Sequence, residues 1–301
     1  LISLALGLFG NMVQSNSISA AFNSAFGIDP MIVGVIVAVL AGFIFLGGIG
    51  RIASVTEKLV PIMAVFYILG ALILIIMNIG NFPEALRQIF VGAFNPGAAL
   101  GGFTGVAVSS AIQFGVARGL FSNEAGMGST PHAHAVAKVN HPCDQGLVAI
   151  CSVFIDTLIV LNLTAFSVLC TGQLHEYNQS LTAAELTQAA FESAYGHFGA
   201  IFIAICMFFF AFSTIIGWYF FGEKNVRYLF KHHPAVAAKV YAAIVVVFIV
   251  VGSMLKVDLV WNLSDLFNSL MVIPNVLGLW ALSNVAKDLY DDWKKQPAKV
   301  K

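Results

Sequence analysis

Long apolar runs separated by short polar connections recur along the whole chain. They cover about residues 1–26, 31–50, 59–79, 145–170, 198–221, 235–254 and 262–285. A helix needs about 20 mostly apolar residues to cross a ~30 Å hydrocarbon core, and each run comes close to or exceeds that length. A further run, residues 99–137, is interrupted. The polar connections hold two short helices, one around residues 85–91 and an amphipathic one at 181–195, and a charged tail follows residue 285. A membrane barrel would show ~10-residue alternating segments instead. The pattern predicts an all-α polytopic membrane protein with about eight transmembrane helices. The second half of the first run is polar for a lipid-facing helix, with Asn11, Gln14, Ser15, Asn16, Ser17 and Ser19.

Composition agrees. Hydrophobic residues make up 59% of the 301 and charged residues 10%, against roughly 25% charge in a soluble domain. The formal net charge is zero, so bulk charge suggests no nucleic acid or other charged partner. Residue 1 is Leu and already lies in an apolar stretch, with no Met start or signal peptide. The chain is therefore expected to be truncated at its N-terminus. Cys143, Cys151, Cys170 and Cys206 lie in or beside the runs without CxxC spacing, and read as packing residues. If the loop between the second and third runs is cytoplasmic, alternation assigns every other loop. Of the 15 Lys and Arg, only Arg87 and Lys256 then fall outside; Arg118 sits within the interrupted run, and the remaining twelve lie inside. That bias is the positive-inside pattern. It supports eight spans, a multi-pass protein of the plasma (inner) membrane, and a cytoplasmic C-terminus.

The interruption, GVARGLFSNEAGMGSTPHAHAVA (115–137), crowds Gly115, Gly119, Gly126 and Gly128 around Ser122, Asn123 and Glu124. Backbone groups freed there cannot be satisfied by lipid, so such a break survives only inside protein or beside a watery cavity. Half-helix N-termini can hold an anionic group and freed carbonyls a cation. Two readings stand level: half of a solute and ion site, or a kinked helix or polar loop. The interrupted run and its four successors make five helices, and the first three runs would complete an earlier set. This is the remainder of an inverted five-plus-five repeat. One transmembrane domain, 1–301, would comprise residues 1–79 as the last three helices of the first repeat, 99–285 as the second repeat, and 286–301 as a cytoplasmic tail.

Ionisable residues within spans are functional candidates because their burial is costly. Arg118 and Glu124 lie in the break, where pairing with each other or with nearby polar groups is the first reading and substrate contact the second. Asp156 in FIDTLIV would brace the break or relay a proton. Asp265 lies in WNLSD and reads as the cap of the last span. Ser213 and Thr214 are adjacent hydroxyls that either bond back to their own helix or ligate a small cation. Thr214 and Trp218 share a face at i and i+4, with Gly217 between them. Gln14 either joins helices or lines a pocket. No enzyme is expected: GMGSTP lacks a strand–helix context, Ser122 lacks His and Asp partners, and His132 and His134 alternate, which does not suit metal ligation. No cofactor is expected.

At these positions the sequence resembles the alanine or glycine:cation symporter family, the sodium:alanine symporters. The likeness rests on RGLFSNEAGMGSTPHAHAVA (118–137), QGLVAICSVFIDTLIV (145–160), FAFSTIIGWYFFGEKN (210–225), MVIPNVLGLWALS (271–283), NMVQSNSISAAF (11–22) and GGIGRIASVTEKLVP (47–61). The resemblance implies a leucine-transporter-like inverted-repeat fold and sodium-coupled uptake of alanine or glycine by alternating access, with a proton as the alternative ion. By motif position, Gln14, Phe121, Thr214 and Trp218 resemble substrate-pocket residues, and Ser213 and Thr214 cation ligands. Arg118, Ser122, Asn123, Glu124, Gly126 and Asp156 would support the broken helix. The family's first broken helix and its GGPGAxFWMW motif would lie ahead of residue 1. These residues are therefore expected to be the C-terminal part of a transporter. The alternative is an uncoupled channel or an inactive membrane fragment.

Overall fold

The computed structural model describes residues 1–94, 104–176 and 183–296, and every regular element among them is helical. The predicted beginning of the interrupted run at 99–103, residues 181–182 of the amphipathic helix and the tail beyond 296 lie outside the described residues. Helix α1 is continuous but composite: Ile2–Leu4, a π-helical stretch Ala5–Gly10, then Asn11–Phe26. It is followed by α2 (Pro30–Phe45), α3 (Gly48–Met77), α4 (Phe82–Phe94) and α5 (Thr104–Asn123). Next come α6 (Pro142–Cys170, with π-helical Ile155–Leu161), α7 (Ala183–Tyr195), α8 (His197–Leu229), α9 (Pro234–Met254), α10 (Val257–Ala281) and α11 (Ser283–Lys295).

Sequence chemistry sets several of these ends. Gly27 closes α1 in the left-handed region at φ 68°, where Gly carries no Cβ penalty. Two residues on, the Asp29 side chain accepts the Met31 N–H at 2.8 Å and Pro30 opens α2, a favourable N-terminus. Pro142 opens α6, with His141 Nδ1 accepting the Cys143 N–H at 3.2 Å.

Among the described residues, five helices are long and apolar enough to cross a membrane: Gly50–Met77, α6, α8, α9 and α10. Helix α2 is apolar but shorter. The chain is thus polytopic and helical. Three boundaries differ from expectation. Helix α2 ends at Phe45 and α3 begins at Gly48, so Arg51 and Lys58 ride on a helix instead of a loop. Arg51 Nη1 donates to the Phe43 carbonyl at 2.6 Å and its guanidinium lies over the Phe43 ring; a cation there complements the C-terminal end of α2. Pro61 lies well inside α3, where its ring removes the bond to the carbonyl four residues back. The tail beyond α10 is a helix with one apolar side, bearing Val285, Leu289 and Trp293.

Helix α8 is the central post. More than half of its most apolar stretch is buried, whereas none of that in α6 is. Helices α1, α2, α3 and α9 pack around α8, and Leu6, Ile18, Ile215, Ile216, Val245 and Ile249 are fully enclosed. Phe45, Tyr219 and Tyr241 stack in series. Glycines bring α1, α8 and α9 together. The Tyr241 hydroxyl rests against Gly7 and Gly222 and donates to the Ser3 carbonyl at 2.8 Å. Gly252 faces the backbone of Met12.

Polar residues in α1 follow from this burial. Asn16 donates to the Gly252 and Leu255 carbonyls at 2.9 and 2.8 Å, satisfying the end of α9. Asn11, Ser15 and Ser17 bond back to their own helix. From α7, Gln188 crosses to the Ala21 and Ala200 carbonyls.

A Cβ at Gly252 would meet the Met12 Cα at 2.6 Å. Gly252→Val is therefore expected to cost about 1–3 kcal/mol through overpacking. Gly50→Ala, where nothing lies within 4 Å, should be close to neutral. Thermal unfolding of the detergent-solubilised protein compares the two, and equal midpoints would contradict the close approach.

Candidate functional site

Helix α5 runs unbroken through Gly115 and Gly119, two glycines expected to disrupt it, and ends at Asn123. The break therefore begins later than its glycine content suggests. Glu124 (φ 50°), Gly126 (71°) and Gly128 (80°) are left-handed. The turn after them, Pro131–His134, is four residues long, so this break leads into a loop and no long second half-helix follows it.

Glu124 holds this loop together. A non-glycine residue at positive φ is uncommon, and its side chain explains why it stays there. Its Oε2 accepts from the Ser129 and Thr130 hydroxyls at 2.6 and 2.7 Å, and its Oε1 accepts from Trp218 Nε1 at 2.5 Å. One carboxylate thus ties both ends of the loop to α8. Ser129 is fully buried. Asn275, one residue after Pro274 in α10, donates to the Gly126 carbonyl at 2.8 Å and packs on Gly128, leaving no room for a Cβ. His132 Nδ1 donates to the Ser129 carbonyl while its Nε2 accepts from Asn225 on α8, each at 2.9 Å.

Helix α6 braces the other side through its π-helical stretch. Ser122 donates to Asp156 at 2.5 Å and Thr157 donates to Asn123 Oδ1 at 2.8 Å. Beyond that stretch Thr164 meets Tyr67 of α3. Bracing of the break by Asp156 was expected; the π-turn that aims it was not.

Arg118 and Glu124 do not pair with each other. Arg118 forms a two-pronged bond to Asp265 of α10 at 2.9 and 2.8 Å, and its guanidinium stacks 4.0 Å from the Trp261 ring centre. Asp265 is therefore not the helix cap it resembled. Helix α10 starts eight residues earlier, at Val257, and the WNLSD cap pattern lies inside it. Trp261 also packs on Phe121, which meets Trp218 edge-on with ring centres 5.4 Å apart.

One cavity of about 440 Å³ gathers the residues singled out from sequence. Gln14, Phe121, Ser213, Thr214 and Trp218 all line it. Ser122, Glu124 and Asp156 line it too, whereas Arg118, Asn123 and Gly126 stand behind it as supports. The Gln14 side chain makes no hydrogen bond among the described residues, so its amide is available to a solute. Ser213 and Thr214 both donate to the Phe210 carbonyl, at 2.8 and 3.0 Å. The bland reading of these hydroxyls is thus satisfied, yet each oxygen keeps lone pairs for a cation. Thr56, Val60 and Phe221 complete the wall and were missed. Thr56 stood within a charged segment, 51–58, read as loop. Asp265, Trp261 and Asn275 were also missed as supports of the site, since their partners lie roughly 150 residues away.

Chemically, this is a compact chamber with an aromatic wall, an amide, paired hydroxyls and two carboxylates. No histidine, cysteine or lysine among the described residues lines it. Among the described residues no group of three or more His, Cys, Asp and Glu could hold a metal ion.

Sequence comparison adds an independent finding. Residues 1–301 match the family model described as the sodium:alanine symporter family. Similar curated proteins include the amino-acid carrier protein AlsT of Bacillus subtilis, 38% identical over 98% of this chain and 62% of its own length. The probable sodium/glutamine symporter GlnT of the same species is 40% identical over 98% of this chain and 60% of its own length. The sodium/alanine symporter AgcS of Methanococcus maripaludis is 42% identical over 92% of this chain and 59% of its own length. The chain therefore spans about three fifths of these relatives.

Glu124→Gln would place an amide donor among hydroxyl and indole donors. Leaving one of them unsatisfied is expected to cost about 1–3 kcal/mol. Denaturant unfolding should show the loss, and a Glu124→Gln protein as stable as wild type would mean that these bonds do not hold the loop.

Proposed function

The chain belongs to the sodium:alanine symporter family, and from that premise we propose that it carries the solute chamber of a transporter, in which a small neutral amino acid, alanine or glycine, moves with sodium across the plasma membrane. The observation that carries this reading is the convergence of Gln14, Phe121, Ser213, Thr214 and Trp218 on one cavity. Residues from α1, α5 and α8 meet there although about 200 positions separate the first from the last.

The roles follow from chemistry. Ser213 and Thr214 offer hard oxygens to sodium, with the proton as the other candidate ion through Asp156 or Glu124. Gln14 hydrogen-bonds one pole of the zwitterion. Phe121 and Trp218 form a stiff wall, held by the Glu124 bond to the indole. Such a wall favours a small side chain, because an extra methylene in a tight pocket changes discrimination by roughly 1–3 kcal/mol. The relative named for glutamine makes this wall the place to look for substrate choice.

Sodium ordering the hydroxyls would raise amino-acid affinity, and by linkage the amino acid would raise sodium affinity equally. Alternating access in a leucine-transporter-like inverted repeat, with eight of its helices in this chain and the C-terminus cytoplasmic, is the architecture within which the chamber would work. Residues 1–79 and 99–285 would belong to its two repeats.

The test is radiolabelled alanine uptake into vesicles by the complete natural protein, with and without a sodium gradient. Gradient-driven, saturable uptake is expected. Uptake indifferent to sodium would remove the cation assignment, and an ion current independent of alanine would favour a channel. Thr214→Val should weaken apparent sodium affinity by roughly tenfold, about 1.4 kcal/mol for one lost ligand. Unchanged sodium dependence would leave Thr214 a purely structural hydroxyl.

A further inference from the structure

The chamber does not stand alone. A second cleft of about 270 Å³ shares Ser122, Glu124 and Asp156 with it. A third, of about 520 Å³, shares His134 and Ala149 with the second. The three form one series running from the chamber, between the broken loop and α6, to the turn that precedes α6. Hydrogen bonds separate them. Ser122 with Asp156, and Thr130 with Glu124, stand between the first and second. Gln145 donating to His134 Nδ1 at 2.7 Å stands between the second and third.

The middle cleft has a one-sided chemistry. Glu124 and Asp156 line it together with the hydroxyls of Ser122, Thr130 and Ser152. His134 is its other titratable group, and no Lys or Arg lines it among the described residues. A cleft lined by one sign of charge concentrates the opposite ion and repels its own. A hydrated alkali cation is suited to it; the carboxylate of an amino acid is not.

We infer that these adjoining clefts form a cation route, separate from the path of the amino acid, along which sodium leaves the chamber past Ser122, Asp156 and Ser152 toward the turn before α6. The inference rests on the transport reading and adds to it a division of labour. Phe121 and Trp218 face the solute, Ser213 and Thr214 hold the ion within the chamber, and the α6 side carries it away. The His134–Gln145 bond is the last barrier.

Cysteine accessibility in the complete natural protein tests the route. Ser152→Cys and Ala149→Cys mark the middle cleft and its junction with the third, in a background whose native cysteines are replaced by alanine. Each is exposed in inside-out vesicles to a small cationic methanethiosulfonate and to an anionic one of similar size. The cationic reagent should react roughly tenfold faster, relative to a free thiol, as expected for a cleft of one charge, and added sodium should slow it. Modification of the Ser152→Cys variant should then slow its sodium-driven uptake. Equal rates for the two reagents at both positions, alongside intact sodium-driven uptake, would overturn the route alone. A strong preference for the cation with uptake indifferent to sodium would overturn the symport reading and leave a cation cleft in place.

Discussion

An unwound segment within a membrane protein must be held by partners inside the protein, and here one carboxylate gathers its side-chain donors. Glu124 takes two hydroxyls from the loop and the indole N–H of α8. The loop, the aromatic wall and the central post are thereby positioned against one another through shared oxygen atoms. Neutral acceptors would bind these donors more weakly, since hydrogen bonds to an ionised group are roughly twice as strong. The shape of the break is set by side chains from α5, α6, α8 and α10, more than by the glycines that allow it.

The helical, polytopic character was legible because membrane spans write themselves as long apolar runs; the runs matched α6 and α9 to within three residues, while α8 extends to Leu229, eight residues past its run. Residues 11–19 were legible as odd, and the structure gives the reason: α1 is enclosed by α8, α9 and α10, so Asn11, Ser15, Asn16 and Ser17 bond to backbone instead of meeting lipid. Boundaries near charges were harder. Arg51 and Lys58 looked like loop residues, since hydropathy cannot distinguish a loop from a helix end that reaches the polar interface.

Motif and helical spacing singled out Phe121, Ser213, Thr214 and Trp218, which line one cavity. They could not find Asp265 as the partner of Arg118, because a pairing across 147 positions leaves no local trace. Asp265 was misread for a physical reason: Asn, Ser and Asp near an apolar run form the usual signature of a helix start, and only the fold reveals that α10 begins earlier. Asn275 escaped notice similarly, although its neighbour Pro274 marks a place where a helix has spare backbone groups and a packing irregularity is expected.

The π-helical stretch in α6 has a consequence for how the helix divides. In a regular α-helix each residue advances by about 100°, so one extra residue in a turn offsets everything beyond it by that angle. At the start of the widened stretch, Asp156 and Thr157 address the broken loop; beyond it, Thr164 addresses α3. A straight helix of the same sequence would serve one neighbour and turn away from the other. The widened turn lets a single rod belong to two bodies at once. It also marks a natural joint, since tightening it to ordinary pitch would rotate one half against the other without unfolding either.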